Sequence, residues 1–105
     1  DVIISGGENI SSIEVEGAVL RHPAVLEVAV VGMPHATWGE SPHAFVVLRA
    51  GASATEAELR EFARGLLARF KVPSAIHFVS EFPKTATGKI QKFVLRGRRA
   101  AIMKQ

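Results

Sequence analysis

The chain has 105 residues, 48% of them hydrophobic and 22% charged, with a formal net charge of +3 and no cysteine. A chain of this length forms one domain that buries about 65% of its unfolded surface, and the missing cysteine excludes disulfides, thiolate metal sites and thiol nucleophiles together. No apolar run approaches spanning length and no signal-peptide layout is present, so the expectation is a soluble, cytoplasmic protein without a transmembrane segment.

Val2 to Ile4 reads as a short strand, stopped by Ser5-Gly6-Gly7, whose glycines accept any backbone conformation and predict a hairpin or loop. Ser11 and Glu14 form a capping box opening a helix from about Ser12 to Arg21, with Ile13, Gly17 and Leu20 on one stripe and Val15, Ala18 and Val19 beside it. His22-Pro23 ends that helix. Val25 to Met33, rich in β-branched residues, predicts a largely buried strand, and Pro34 to Pro42 a loop. His43 to Arg49 predicts a second strand, antiparallel to the first because the connection is short. Thr55 and Glu58 form a second capping box for a helix reaching about Arg69, with Leu59, Phe62, Ala63, Leu66 and Leu67 at helical spacing. Ala75 to Ser80 predicts a third strand, and Phe93 to about Met103 a last helix. The pattern is an α+β fold, a small three-stranded mixed sheet flanked by helices, with a short N-terminal strand or hairpin.

Charge is unevenly spread. From Phe82 onward the chain carries Lys84, Lys89, Lys92, Arg96, Arg98, Arg99 and Lys104 and no acidic residue, a basic end that attracts polyanions such as ATP, CoA or nucleic acid. A solvated helix face is the plainer account of such a run. The histidines at 22, 35, 43 and 77 lack the spacing and acidic partners of a metal site, so no metal is expected on the domain.

Pro83-Lys84-Thr85-Ala86-Thr87-Gly88-Lys89-Ile90 combines a proline that limits φ, two threonines that can bond their own backbone, and a glycine free to take positive φ. The result is a shaped turn presenting Lys89. It is not a phosphate-binding P-loop, which needs glycine at Pro83 and Ser or Thr at Ile90.

Taken together, Asp1-Val2-Ile3-Ile4-Ser5-Gly6-Gly7-Glu8-Asn9-Ile10 and Pro83 to Lys89 resemble the C-terminal domain of the adenylate-forming enzymes, the superfamily of acyl-CoA synthetases, luciferases and peptide-synthetase adenylation domains. Ser-Gly-Gly-Glu-Asn-Ile is similar to the acyl- and aryl-CoA synthetase branch. The resemblance covers essentially the whole chain and implies that residues 1–105 are a mobile lid domain. The chain starts abruptly at Asp1, where relatives have just left the interdomain hinge, so the N-terminal adenylation domain of the same polypeptide is expected to precede it.

The resemblance also implies an acid–thiol ligase that converts a fatty or aryl acid, ATP and CoA to acyl-CoA, AMP and pyrophosphate, with Mg²⁺ travelling with ATP. The isolated domain, which lacks the acyl pocket, is expected to bind no cofactor and to be inactive. Lys89 matches the family's catalytic lysine of the adenylation step. In the thioester step, after the small domain has rotated, Ser5, Gly6, Gly7 and Glu8 are expected to line the CoA channel. Trp38 is expected either to contact CoA or to pack over a core edge. Phe70-Lys71 resembles the aromatic-Lys-Val-Pro segment of relatives, which places Lys71 near a CoA phosphate, although other members have further basic residues where this chain has Val72 and Ser74. Relatives frequently carry aspartate at the position of His35.

Two alternatives stand beside this reading. One is a small basic nucleic-acid-binding module, against which six Phe and one Trp, mostly at apolar positions, form no basic–aromatic platform. The other keeps the fold and changes the chemistry, to the lid of a luciferase or of a ligase that loads a carrier protein.

Overall fold

The computed structural model describes residues 2–103, with side chains described as far as Gly97. β1 (Val2–Ser5) and β2 (Glu8–Ser11) form an antiparallel hairpin in which Ser5 faces Glu8 across Gly6-Gly7. Both glycines have positive φ, 58° and 81°, the combination that a type I′ turn requires.

Ser11 caps α1 (Ser12–Leu20), its Oγ accepting the Glu14 N–H at 3.4 Å. Only half of the expected capping box forms, because the Glu14 carboxylate turns instead to Lys71 Nζ at 2.8 Å. The buried stripe is Ser12, Val15, Ala18 and Val19, while Ile13 and Leu20 of the anticipated stripe face outward.

β3 (Val25–His35) and β4 (Gly39–Leu48) pair antiparallel from Val25↔Leu48 to His35↔Gly39. The loop expected from Pro34 to Pro42 is therefore mostly ladder, and only residues 36–38 connect the strands. Pro34 lies on an edge strand, where a sheet tolerates a missing N–H, and the Pro42 carbonyl accepts the Ser74 N–H at 2.8 Å.

α2 (Glu56–Arg64) is capped by Thr55, whose Oγ1 accepts the Glu58 N–H at 3.1 Å. It stops short of Arg69 because Gly65, a weak helix former, takes the C-cap, and the N–H groups of Leu66 and Leu67 both fold back on the Ala63 carbonyl. A 3₁₀ turn (Arg69–Lys71) then leads to β5 (Ala75–Phe78), which pairs parallel with β4. The Glu56 carboxylate accepts the Ile76 N–H at 2.8 Å and ties the start of α2 to β5.

The mixed sheet of β3, β4 and β5 is thus present, and the hairpin joins it through one pair, Ser5↔Gly39, to give five strands. Alternate residues of β3 and β4 face opposite layers. Val30, Ala44 and Val46 pack with Val15 and Val19 of α1, Leu59 and Ala63 of α2 and Ile3 and Ile10 of the hairpin. Ala29, Val31, Met33, Phe45 and Val47 pack with Phe82 and with Leu95 of α3 (Lys92–Met103). Covering both faces explains the continuous apolar run of β3, since each buried Val or Leu contributes about 1.5–3 kcal/mol.

Candidate functional site

The hairpin tip, the β3–β4 connection, α2 and the segment after it enclose an open pocket of about 930 Å³. Ser5, Gly6 and Glu8 form one wall, Trp38 another, and Phe70 and Val72 supply apolar surface. Four of the residues assigned to CoA from the sequence therefore meet here. The Gly6 N–H donates to the Trp38 carbonyl at 2.9 Å, and a Cβ on Gly6 would lie 3.8 Å from Trp38 Cδ1, so the half-exposed indole sits over the turn.

Two other assigned residues do not line the pocket. A Cβ on Gly7 would meet nothing within 4 Å, and the Lys71 ammonium pairs with Glu14 and lies 5.6 Å from the centre of the Phe70 ring. Arg60, Arg64 and Arg69 line the pocket instead. None of these three arginines was assigned to the site from the sequence. The signal was the i, i+4 spacing of Arg60 and Arg64, which puts both on one helix face. Arg60 Nε donates to the Pro73 carbonyl at 3.0 Å, which orients its guanidinium, while Arg64 pairs with Glu61. Guanidinium groups beside an indole and a glycine turn can hold phosphate and a flat or amide-bearing chain.

Lys89 belongs to a different surface, since no residue beyond Ser74 lines the pocket. Its turn is fixed by an antiparallel bridge between Lys84 and Ile90, by Thr85 N–H to the Lys89 carbonyl (2.8 Å), by Gly88 N–H to the Thr85 carbonyl (2.9 Å) and by Gln91 N–H to the Pro83 carbonyl (2.8 Å). Thr85 Oγ1 also accepts the Lys89 N–H at 3.1 Å, and Gly88 has φ 89°. The Lys89 side chain is exposed, and among the described residues it has no acidic partner.

The basic end is less positive than its composition implies. Lys84 pairs with Glu27 at 2.8 Å and Lys92 with Glu16 at 2.7 Å, while the side chains of Arg98, Arg99 and Lys104 lie outside the described residues. Two of the scattered histidines meet, His43 Nδ1 lying 2.9 Å from His77 Nε2. Among the described residues no group of three or more His, Asp or Glu side chains could hold a metal ion, and no helix is long and apolar enough to cross a membrane.

Residues 14–89 match the model of the AMP-binding enzyme C-terminal domain, an interval that ends on Lys89. The chain is 54% identical over 98 residues to a 2-methylpropanoate–CoA ligase of Humulus lupulus, covering 91% of this chain and 18% of that protein. It is 53% identical over 96 residues to the peroxisomal trans-cinnamate:CoA ligase of Petunia hybrida, covering 91% of this chain and 17% of that protein. A Mycobacterium tuberculosis fatty acyl CoA synthetase structure superposes with a TM-score of 0.91 at 41% identity, over 97% of this chain and 20% of that one. The chain therefore spans about a fifth of the length of these relatives. The matched interval and these likenesses establish that the chain belongs to the family of AMP-binding enzyme C-terminal domains.

Proposed function

We propose that this domain is the small C-terminal part of an ATP-dependent carboxylate–CoA ligase, in which it serves two half-reactions with two different surfaces. The observation that carries the reading is the separation of Lys89, on its own exposed turn, from the pocket of Trp38 and the arginines. In the first half-reaction the carboxylate oxygen of the acid attacks the α-phosphorus of ATP, and pyrophosphate leaves. The Lys89 ammonium, placed between carboxylate and α-phosphate, holds two mutually repelling anions together and stabilises charge on the phosphoryl oxygens without transferring a proton. Magnesium enters with ATP as part of the substrate.

In the second half-reaction the CoA thiol displaces AMP from the acyl-adenylate. The pocket then faces the larger domain. Its Ser5-Gly6 wall allows close approach of the amide-bearing pantetheine, Trp38 flanks it, and Arg60, Arg64 and Arg69 neutralise CoA phosphates. Lys71, held by Glu14, is reserved for the rim of this site.

The polypeptide carrying this domain should show pyrophosphate exchange into ATP that depends on a carboxylic acid, followed by CoA-dependent release of AMP. A panel of 2-methylpropanoate, trans-cinnamate, 2-succinylbenzoate and fatty acids covers the acids named for its relatives. Exchange with no acid of the panel, or AMP release independent of CoA, would count against the reading.

A further inference from the structure

We propose that Glu27 and Glu16 are positioning residues for Lys89, clamping both stems of its turn so that the ammonium is delivered in one orientation. The inference rests on the reading of Lys89 as the adenylation cation. Internal hydrogen bonds give the turn its shape, but they leave open how that shape sits on the sheet. Phe82 before the turn and Leu95 after it anchor the segment in the core, and two ion pairs fix the stems between them. Lys84, on the entering stem, meets Glu27 of β3 at 2.8 Å, and Lys92, on the leaving stem, meets Glu16 of α1 at 2.7 Å.

Glu16 is itself held. The oxygen that meets Lys92 also accepts the Val30 N–H of β3 at 2.9 Å, so both clamps end on the same strand, three residues apart. Their side chains are only 22–38% exposed, which screens them less than ordinary surface pairs. The arrangement also consumes the lysines that flank Lys89, and leaves Lys89 as the turn's cation without an acidic partner among the described residues.

The test is made in the full polypeptide with Glu27→Gln and Glu16→Gln, measuring adenylation by pyrophosphate release and thioester formation from supplied acyl-adenylate. A small misplacement of a charged group costs rate rather than ground-state binding, so the adenylation kcat should fall about 10-fold with KM for acid and ATP nearly unchanged. Thioester formation should be unaffected. Hydrogen exchange at the Thr85, Gly88 and Gln91 amides should quicken, and the exchanged pair Glu27→Lys with Lys84→Glu should recover most of the rate. Unchanged adenylation, equal loss in both half-reactions, or no recovery in the exchanged pair would overturn the proposal. If Lys89→Ala leaves adenylation intact, it is the reading of Lys89 that fails. The clamp then stands or falls on hydrogen exchange, and unchanged amide rates in Glu27→Gln and Glu16→Gln overturn it.

Discussion

The imidazole of His35 lies flat on the indole of Trp38, with ring centroids 4.2 Å apart and planes 5° from parallel. Its Nδ1 accepts the N–H groups of Thr37 at 3.1 Å and Trp38 at 3.2 Å, which places the ring proton on Nε2. One side chain thus folds the three-residue β3–β4 connection and sets the indole over Gly6. The acceptor that an aspartate would offer through its carboxylate is supplied here by a ring nitrogen.

Replacing His35 with alanine removes the stack and both acceptor contacts. A stacked ring pair contributes about 0.5–1.5 kcal/mol, so KM for CoA should rise roughly two- to ten-fold while adenylation is unchanged. Trp38 is the only tryptophan of these 105 residues, so in the separate domain its fluorescence should shift to the red as the indole loosens. An unchanged spectrum would show that the connection holds Trp38 without His35.

The arginines of α2 make a separate prediction. If the pocket takes CoA as proposed, Arg60→Gln with Arg64→Gln removes two lining guanidiniums, and with charge-assisted contacts worth about 1.5–3 kcal/mol each, KM for CoA should rise at least ten-fold and depend less on salt. With pantetheine as acceptor, which has no phosphate, the variant should match the unmodified enzyme. An equal loss with pantetheine would place the damage in the fold.

Stability should respond most where packing and caps are complete. Thr55→Ala deletes the acceptor of the Glu58 N–H and should cost about 1 kcal/mol, or a fall in Tm of about 4–8 °C for a domain of this size. Leu59→Ala, at a fully buried position facing both α1 and the sheet, should cost about 2–5 kcal/mol. Thermal melts that leave Thr55→Ala unshifted would show that water replaces the cap.

What could be read from the sequence was local. The Gly6-Gly7 turn, the Lys89 turn and both N-caps follow from residues within a few positions of each other, where proline, glycine and hydroxyl side chains restrict the backbone directly. The misplaced boundaries were local too: Pro34 and Pro42 read as loop although an edge strand and a carbonyl contact accommodate them, and Gly65 was passed over as the end of α2. Tertiary approach was not legible. Arg60, Arg64 and Trp38 share a pocket only because the β4–α2–β5 crossover returns α2 beside the hairpin. Lys84 and Lys92 find Glu27 and Glu16 across most of the chain, so composition alone made the basic end look like an open positive patch.

The most direct test of two surfaces serving two half-reactions is single-turnover kinetics of Lys89→Ala in the full polypeptide. Loss of a preorganised cation should raise the adenylation barrier by about 3 kcal/mol, slowing pyrophosphate release by a factor of 10² or more. Thioester formation from supplied acyl-adenylate should stay within two-fold of the unmodified enzyme. Equal slowing of both steps, or adenylation at the unmodified rate, would contradict the account.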